Sequence, residues 1–388
     1  MIAAVVAAVA GAACGTPRGP DPVPGGWRPV DAPAPQARVL GFARLGGDLL
    51  AVGSVPGADG RAPGAWLGSP GAGWRAVPLQ ASSGYGRQAE LTLPAVSGER
   101  ILALGQAFGG AHGNPRLTIW SGAASGLVEY PQPVELLGGP RAMAVTASAA
   151  TSSGALLVGQ WDHERGGPGA SAWTSPDGRE WARVDEPALQ STPDGQTSMR
   201  GAAGRGAELV AVGEVRGAGS GSPRTDPLAW SSVDGRGWRR APLGVPEGAA
   251  NTSAERIACD TAGCVAVGVT VRYDGPDGGT QRFVCWQSGP GDAWGAPVSG
   301  EPAMTGSQLP EVAGLVADGD RLLVAATANG RARLWSTDRR CGNWRELTLP
   351  EESRGIAVAV ADQPPWGRGV LLATIARDAS RLWWLGNA

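Results

Sequence analysis

The chain has 388 residues and a formal net charge of −2, which excludes the basic excess that binding to a nucleic-acid backbone needs. Every basic side chain is arginine, a compositional bias that accompanies abundant Ala and Gly and marks no function. Glycine (62) and proline (32) make up a quarter of the residues, but they fall periodically between apolar runs and read as turns, not as a disordered segment.

Ile2 to Ala10 form an apolar run too short to cross a bilayer as a helix. The run leads through Gly11-Ala12-Ala13 into Cys14-Gly15 and resembles the bacterial lipoprotein signal, or lipobox. It departs from that pattern at Gly11, where Leu is usual, and in lacking a basic segment ahead of the run. The resemblance implies a signal peptide over 1–14, acylation of Cys14 and an extracytoplasmic, membrane-anchored chain, with plain secretion as the alternative. Residues 15–25 are Pro/Gly-rich and read as a flexible tether.

From there the chain repeats about every 50 residues, the spacing of propeller-like arrays. Each repeat holds an apolar run that ends in glycine: Leu49–Gly53, Ile101–Gly105, Ala155–Gly159, Leu209–Gly213 and Cys264–Gly268. Leu322–Ala326 and Val370–Thr374 follow without the glycine. Runs of this length fit strands covered on both faces. A strand ending in tryptophan follows each, at Trp66, Trp120, Trp173, Trp230, Trp286, Trp335 and Trp383 or Trp384. An outer strand then opens on an aromatic residue, as at Trp74, Trp181, Trp238, Trp294 and Trp344. One short inner strand precedes each buried one, as at Val39–Ala43, Met199–Ala203 and Ile356–Val360. Seven buried and seven Trp strands predict a seven-bladed β-propeller of four-stranded antiparallel blades over 26–388, a single domain. The last Trp strand has no outer partner, and Gly26–Val30 stands unpaired at the start. Ring closure by this N-terminal strand accounts for both.

Between the Trp strand and the outer strand lies a turn with Ser, Asp and Gly at fixed offsets. Good copies are Ser175, Asp177, Gly178, Trp181 and Ser232, Asp234, Gly235, Trp238; weaker frames run Ser69 to Trp74, Ser288 to Trp294 and Ser336 to Trp344. Asp caps backbone N–H groups ahead of it and Gly takes positive φ. These turns resemble the Asp-box (BNR) repeats of sialidases and other secreted propellers. The resemblance implies a structural role for the turn residues, on the face away from the usual ligand site.

Four cysteines remain after Cys14: Cys259, Cys264, Cys285 and Cys341. Cys259 and Cys264 bracket a hairpin turn, and Cys285 could pair with Cys341 across blades; a four-Cys zinc site, the rival reading, lacks paired C-x-x-C ligands. No catalytic constellation appears. The sialidase Arg-Ile-Pro motif is absent, His112 and His163 are the only histidines, and no spacing singles out a carboxylate pair. Candidate recognition residues lie in three loops between buried and Trp strands: Trp161, Asp162, His163, Glu164 and Arg165; Arg224 and Asp226; Tyr273, Asp274 and Asp277. The last pair lacks the further oxygen ligands of a calcium loop. The sequence therefore reads as a monomeric binding or scaffold module for a protein or glycan partner of the cell envelope, without cofactor or metal. The alternative is a glycan-acting hydrolase with an unrecognised carboxylate pair.

Overall fold

The computed structural model describes residues 24–108, 115–164, 166–193, 195–218, 223–273, 279–289, 293–300, 310–363 and 367–386. Successive strands are antiparallel neighbours, so each sheet is a meander running from an inner to an outer strand. The first sheet comprises Arg38–Leu45, Asp48–Gly57, Gly60–Ser69 and Gly73–Ala76. The second comprises Glu90–Ser97, Arg100–Ala107, Arg116–Ala123 and Gly126–Tyr130, with Leu79–Gln80 added in parallel at its edge. The third holds Ala142–Thr151, Gly154–His163, Gly167–Ser175 and Ala182–Arg183.

Two further meanders follow: Gln196–Arg205, Glu208–Ala218, Pro223–Ser232 and Arg239–Pro242, then Asn251–Asp260, Gly263–Tyr273, Gly279–Ser288 and Val298–Ser299. They form one eight-stranded sheet, joined where Thr225 meets Asn251 in parallel. Then come Glu311–Asp318, Arg321–Ala328, Arg331–Asp338 and Arg345–Leu347. The last sheet holds Gly355–Gln363, Gly367–Ile375 and Ser380–Gly386, completed by Arg28–Val30.

The fold is an all-β propeller, but the expectation of a seven-bladed ring of four-stranded antiparallel blades is not met. Five sheets of four or five strands stand separately, and the sixth has eight strands. The physical cause is the long hairpin that ends the strand Glu208–Ala218: it carries Thr225 far enough for its N–H to donate to Asn251 Oδ1 at 2.9 Å. Trp294, expected to open an outer strand, makes only an isolated bridge with Ser288, and the outer strand there is Val298–Ser299.

Closure by the N-terminal strand is observed. Arg28, Pro29 and Val30 pair with Trp384, Trp383 and Leu382. Trp27 is fully buried, and its indole N–H donates to Thr348 O at 2.8 Å. Pro24 and Gly25, placed in the tether from the sequence, form a 3-10 turn with Gly26 at this join.

The terminal glycine of the buried strands has a structural reason. Inner strands carry a β-bulge at a common position, between Val39 and Gly41, Val145 and Ala147, Met199 and Gly201, and Ala254 and Arg256. Each bulge presses a carbonyl against the strand beside it. A Cβ on Gly53, Gly159, Gly213 or Gly268 would lie 1.7, 1.9, 1.9 or 1.8 Å from that oxygen. The inner strand of the last sheet has no bulge, and its neighbour carries Thr374 instead of Gly.

A bulge also leaves backbone groups without ladder partners. Neighbouring meanders supply them around the ring. Ser148 Oγ donates to Leu93 O (2.7 Å), Thr146 Oγ1 to Met199 O (2.8 Å) and Arg256 to both Arg200 O (2.9 Å) and Ala313 O (3.2 Å). At the last sheet, which has no bulge, Arg44 still reaches Val360 O at 3.0 Å and closes the circle. Apolar clusters fill the gaps between sheets, as Leu50, Leu67, Ile101 and Trp120 do between the first and second. The repeated tryptophans belong to this packing. Trp173, Trp230 and Trp286 are buried, and their indole N–H groups donate to Leu136 O, Ala188 O and Gly244 O in the linkers between meanders.

Two disulfides, Cys259–Cys264 and Cys285–Cys341, are formed. Such bonds are the pattern of an oxidising, extracytoplasmic compartment. Among the described residues no helix is long and apolar enough to cross a membrane.

Candidate functional site

Antiparallel meanders give the ring two chemically different faces. One face carries the turns between third and outer strands. There Gly178 N donates to Ser175 Oγ (2.8 Å), Arg179 N to Asp177 Oδ1 (2.9 Å) and Trp181 Nε1 to Gly178 O (3.2 Å). The second copy repeats these bonds through Ser232, Asp234 and Trp238. Both aspartates are held below their ordinary carboxyl value, chiefly by the N–H of Arg179 or Arg236. The donated bonds hold these carboxylates in the turn.

A third turn departs from the pattern in an informative way. Gly178 and Gly235 have positive φ, and a Cβ there would lie 2.5 Å from Ser121 Oγ or 2.8 Å from Thr174 Cγ2 on the preceding sheet. At the same distance before Trp344 stands Cys341, with φ 58°. Trp344 Nε1 donates to its carbonyl at 2.9 Å, as Trp181 does to Gly178. The side chain that glycine omits elsewhere here bridges to Cys285 on the neighbouring meander.

The opposite face, called the linker face below, carries the linkers between meanders and the hairpins joining second to third strands. The described residues of all three predicted loops lie here. Trp161 is buried, edge-on to Trp173 at 6.1 Å, with the Arg183 guanidinium 4.3 Å above its ring. Its immediate partners are thus internal. Asp162 N donates to Arg141 O at 3.0 Å, His163 Nε2 lies 3.1 Å from Ala170 O, and exposed Glu164 stands 3.8 Å from Arg141. Arg224 Nε donates to both oxygens of Asp226, at 2.8 and 3.0 Å, beside the Thr225–Asn251 junction. Tyr273 is exposed, two residues beyond the Val271 that pairs with Asn251. The structure thus joins the second and third groups and leaves Trp161 on the preceding sheet. Cys14, Arg165, Asp274 and Asp277 lie outside the described residues.

Near the inner strands, three carboxylates are engaged. Glu90 accepts from Arg38 (2.6 Å) and Ser54 (2.5 Å), and Glu214, almost fully buried, accepts from Arg200 at 2.9 Å. Glu255 sits on the bulge of its strand, where it accepts from Val312 N at 2.5 Å and Ser253 Oγ at 3.0 Å. Burial pushes its carboxyl up to about 6. Its oxygens face the backbone of the next sheet, so it fastens two sheets together. Glu129 does the same for a linker, accepting from Ser82 N (2.6 Å), Ser83 N (2.8 Å) and Ser83 Oγ (2.5 Å).

Sequence reasoning missed a cleft of about 370 Å³ on the linker face, lined by Glu247, Thr270, Arg272, Thr280, Arg282 and Ser299, with Pro246 and Ala249 at its wall. The signal was present as two paired tripeptides, Thr270-Val271-Arg272 and Thr280-Gln281-Arg282.

No protein-family model matches the chain, and no curated protein matches it in sequence. Among solved structures, the polysaccharide lyase Uly1 is similar at 12% identity over 92% of this chain and 90% of its own, with a TM-score of 0.50. The β-propeller domain of the Trilobed protease from Pyrococcus furiosus is similar at 10% identity, covering 90% of this chain and 96% of its own (TM-score 0.49). An α-L-arabinanase of Penicillium chrysogenum, complexed with arabinobiose, is similar at 12% identity, covering 76% and 92% (TM-score 0.47). At such identities the likeness reaches the fold alone: this chain is an all-β propeller whose structural neighbours include glycan-acting enzymes and peptidases.

Proposed function

We propose that the chain is an extracytoplasmic binding or scaffold module, held at the membrane by a lipid on Cys14, that presents its linker face to a partner in the cell envelope. One observation carries this reading. Among the described residues, the exposed apolar side chains larger than valine are Tyr85, Phe108, Met143 and Tyr273. All four stand in linkers or at strand ends of the linker face. Large apolar groups left in water on one face mark interaction surfaces. The carboxylates near the inner strands support binding over hydrolysis, because Glu90, Glu214 and Glu255 are each spent on arginine, serine or backbone partners. The Ser-x-Asp-Gly turns, read as Asp boxes, keep a structural role on the other face.

Photo-crosslinking in cells tests the reading. A photoreactive residue at position 108 or 143 is expected to trap one discrete envelope component, and the same probe at Val233, exposed on the opposite face, is not. Equal trapping from position 233, or none from either linker-face position, would refute it. Mass spectrometry of the mature N-terminus checks the anchor; an unmodified Cys14 removes it.

A further inference from the structure

The two disulfides differ in access and in what each one holds. Cys264, Cys285 and Cys341 are buried, whereas Cys259 is only partly so. It stands near the end of the inner strand Asn251–Asp260, beside the exposed tip Asp260-Thr261-Ala262 on the face of the Ser-x-Asp-Gly turns. Of the four bonded cysteines, it is the one that solvent reaches. The fold leans little on its bond. Cys259 and Cys264 already face each other in the strand ladder, and Asp260 pairs with Gly263. The bond spans a sequence separation of 5, against 56 for Cys285–Cys341, so it constrains the unfolded chain less. The hairpin also has other fastenings. Ala262 N donates to Asp260 Oδ1 at 2.8 Å and Cys264 N to Ser288 Oγ at 3.3 Å. Arg339 of the next meander donates to both oxygens of Asp260 and to Gly263 O at 3.5 Å. Arg339 stands two residues before Cys341, in the turn that the Cys285–Cys341 bond anchors. The buried bond thus keeps in place the clamp on the hairpin that carries the accessible one.

We propose that Cys259–Cys264 is a thiol–disulfide exchange site, opened by a dithiol carrier protein of the thioredoxin class, while Cys285–Cys341 stays oxidised. Accessible disulfides are the labile ones, and a thiolate must reach a sulfur in order to attack it. The carrier's thiolate attacks Cys259 Sγ. The bond between the two hairpin sulfurs breaks, and Cys264 leaves as a thiolate that takes a proton from water. The carrier's second thiol, deprotonated, then attacks the carrier's own sulfur in the mixed disulfide and releases Cys259, which is protonated in turn. Two electrons pass: the carrier goes from dithiol to disulfide and the hairpin from disulfide to two thiols. The reverse sequence, with the carrier as disulfide, closes the bond again. Neither the ladder nor the Arg339 clamp involves sulfur, so the hairpin keeps its place in both states. The reduced state puts a reactive thiol on the face opposite the linker face, and the site stands apart from any partner bound there.

Timed reduction of the native full chain by reduced thioredoxin tests it. Samples are quenched in acid, unfolded and alkylated, and peptide mass spectrometry locates the thiols. Cys259 and Cys264 should appear at least about tenfold faster than Cys285 and Cys341. The double variant Cys259→Ala/Cys264→Ala should fold and melt no more than about 4 °C below the parent. Reduced glutathione, a monothiol, should leave its adduct on Cys259 and not on Cys264. The assignment is overturned if Cys285–Cys341 opens as fast, if neither bond opens while the chain stays folded, if the double variant fails to fold, or if the adduct sits on Cys264. Crosslinking at positions 108 and 143 reports on the other face, so either result can fail without the other.

Discussion

Replacing Glu255 by Gln isolates the energetic cost of one buried carboxylate. Glu255 is buried and its carboxyl is raised from 4.5 to about 6. The unfolded chain therefore releases this proton first as pH rises. Stability contributed by the protonated form is fully present below pH about 4.5 and is lost as pH passes 6. The shift of about 1.5 pH units corresponds to about 2 kcal/mol. A chain of 388 residues has an unfolding entropy near 0.8 kcal/mol/K, so this amounts to about 2–3 °C in melting temperature. Gln keeps an oxygen for Val312 N and has no proton to lose. Calorimetric scans of both proteins from pH 4 to 7.5 give the difference in Tm, in which all other carboxylates cancel. That difference should move in favour of Glu255→Gln by about 2–3 °C as pH rises. A difference independent of pH, or one moving the other way, would refute the account of Glu255 as a desolvated sheet fastener.

Other predictions follow from packing. Gly213→Ala puts a methyl group 1.9 Å from Ser198 O and should cost at least about 3 kcal/mol or abolish folding, whereas Gly237→Ala, with nothing within 4 Å, should stay within about 0.5 kcal/mol by chemical denaturation. Trp27→Ala should lose about 3–5 kcal/mol and open the ring at its join, read as faster limited proteolysis. Removing the Cys285–Cys341 bond, whose sequence separation is 56, should cost about 4 kcal/mol in the entropic picture. Within a Cys285→Ala background, Cys341→Gly should melt higher than Cys341→Ser, because φ is 58° at that position; equal melting would contradict the alignment of Cys341 with the turn glycines.

Much of the ring was legible because its elements repeat within one strand or one turn. The run Leu209–Gly213 announces a buried strand, and Ser232 to Trp238 announces a turn, from local composition alone. The unpaired segment at Trp27 could be matched to the last sheet because one element was missing there. Sheet boundaries were less legible. The Thr225–Asn251 junction depends on how far a hairpin reaches, and no residue type encodes that reach. The group Arg200, Glu255 and Arg256 was invisible for another reason. Arg200 stands one repeat before the other two and meets them across meanders, at bulges whose only local trace is a glycine on the adjacent strand.

That trace gives a way to look for function in a repetitive chain. The glycine fixes a common register, so residues at a set distance from it share one environment. Two positions after the strand glycine stand Val55, Ala107, Trp161 and Val215, all apolar. In the fifth repeat the same position is Thr270. Packing between sheets asks for an apolar side chain there, and one repeat answers with a buried hydroxyl that shares a hydrogen bond with Thr252 Oγ1 at 2.9 Å, at the base of a cleft. Trp161, the conspicuous aromatic of the sequence, obeys the rule and is buried. The inconspicuous threonine breaks it. Where a scaffold is built from one repeated solution, a polar residue in an apolar register is the better pointer to a site than an unusual residue that still fits the register.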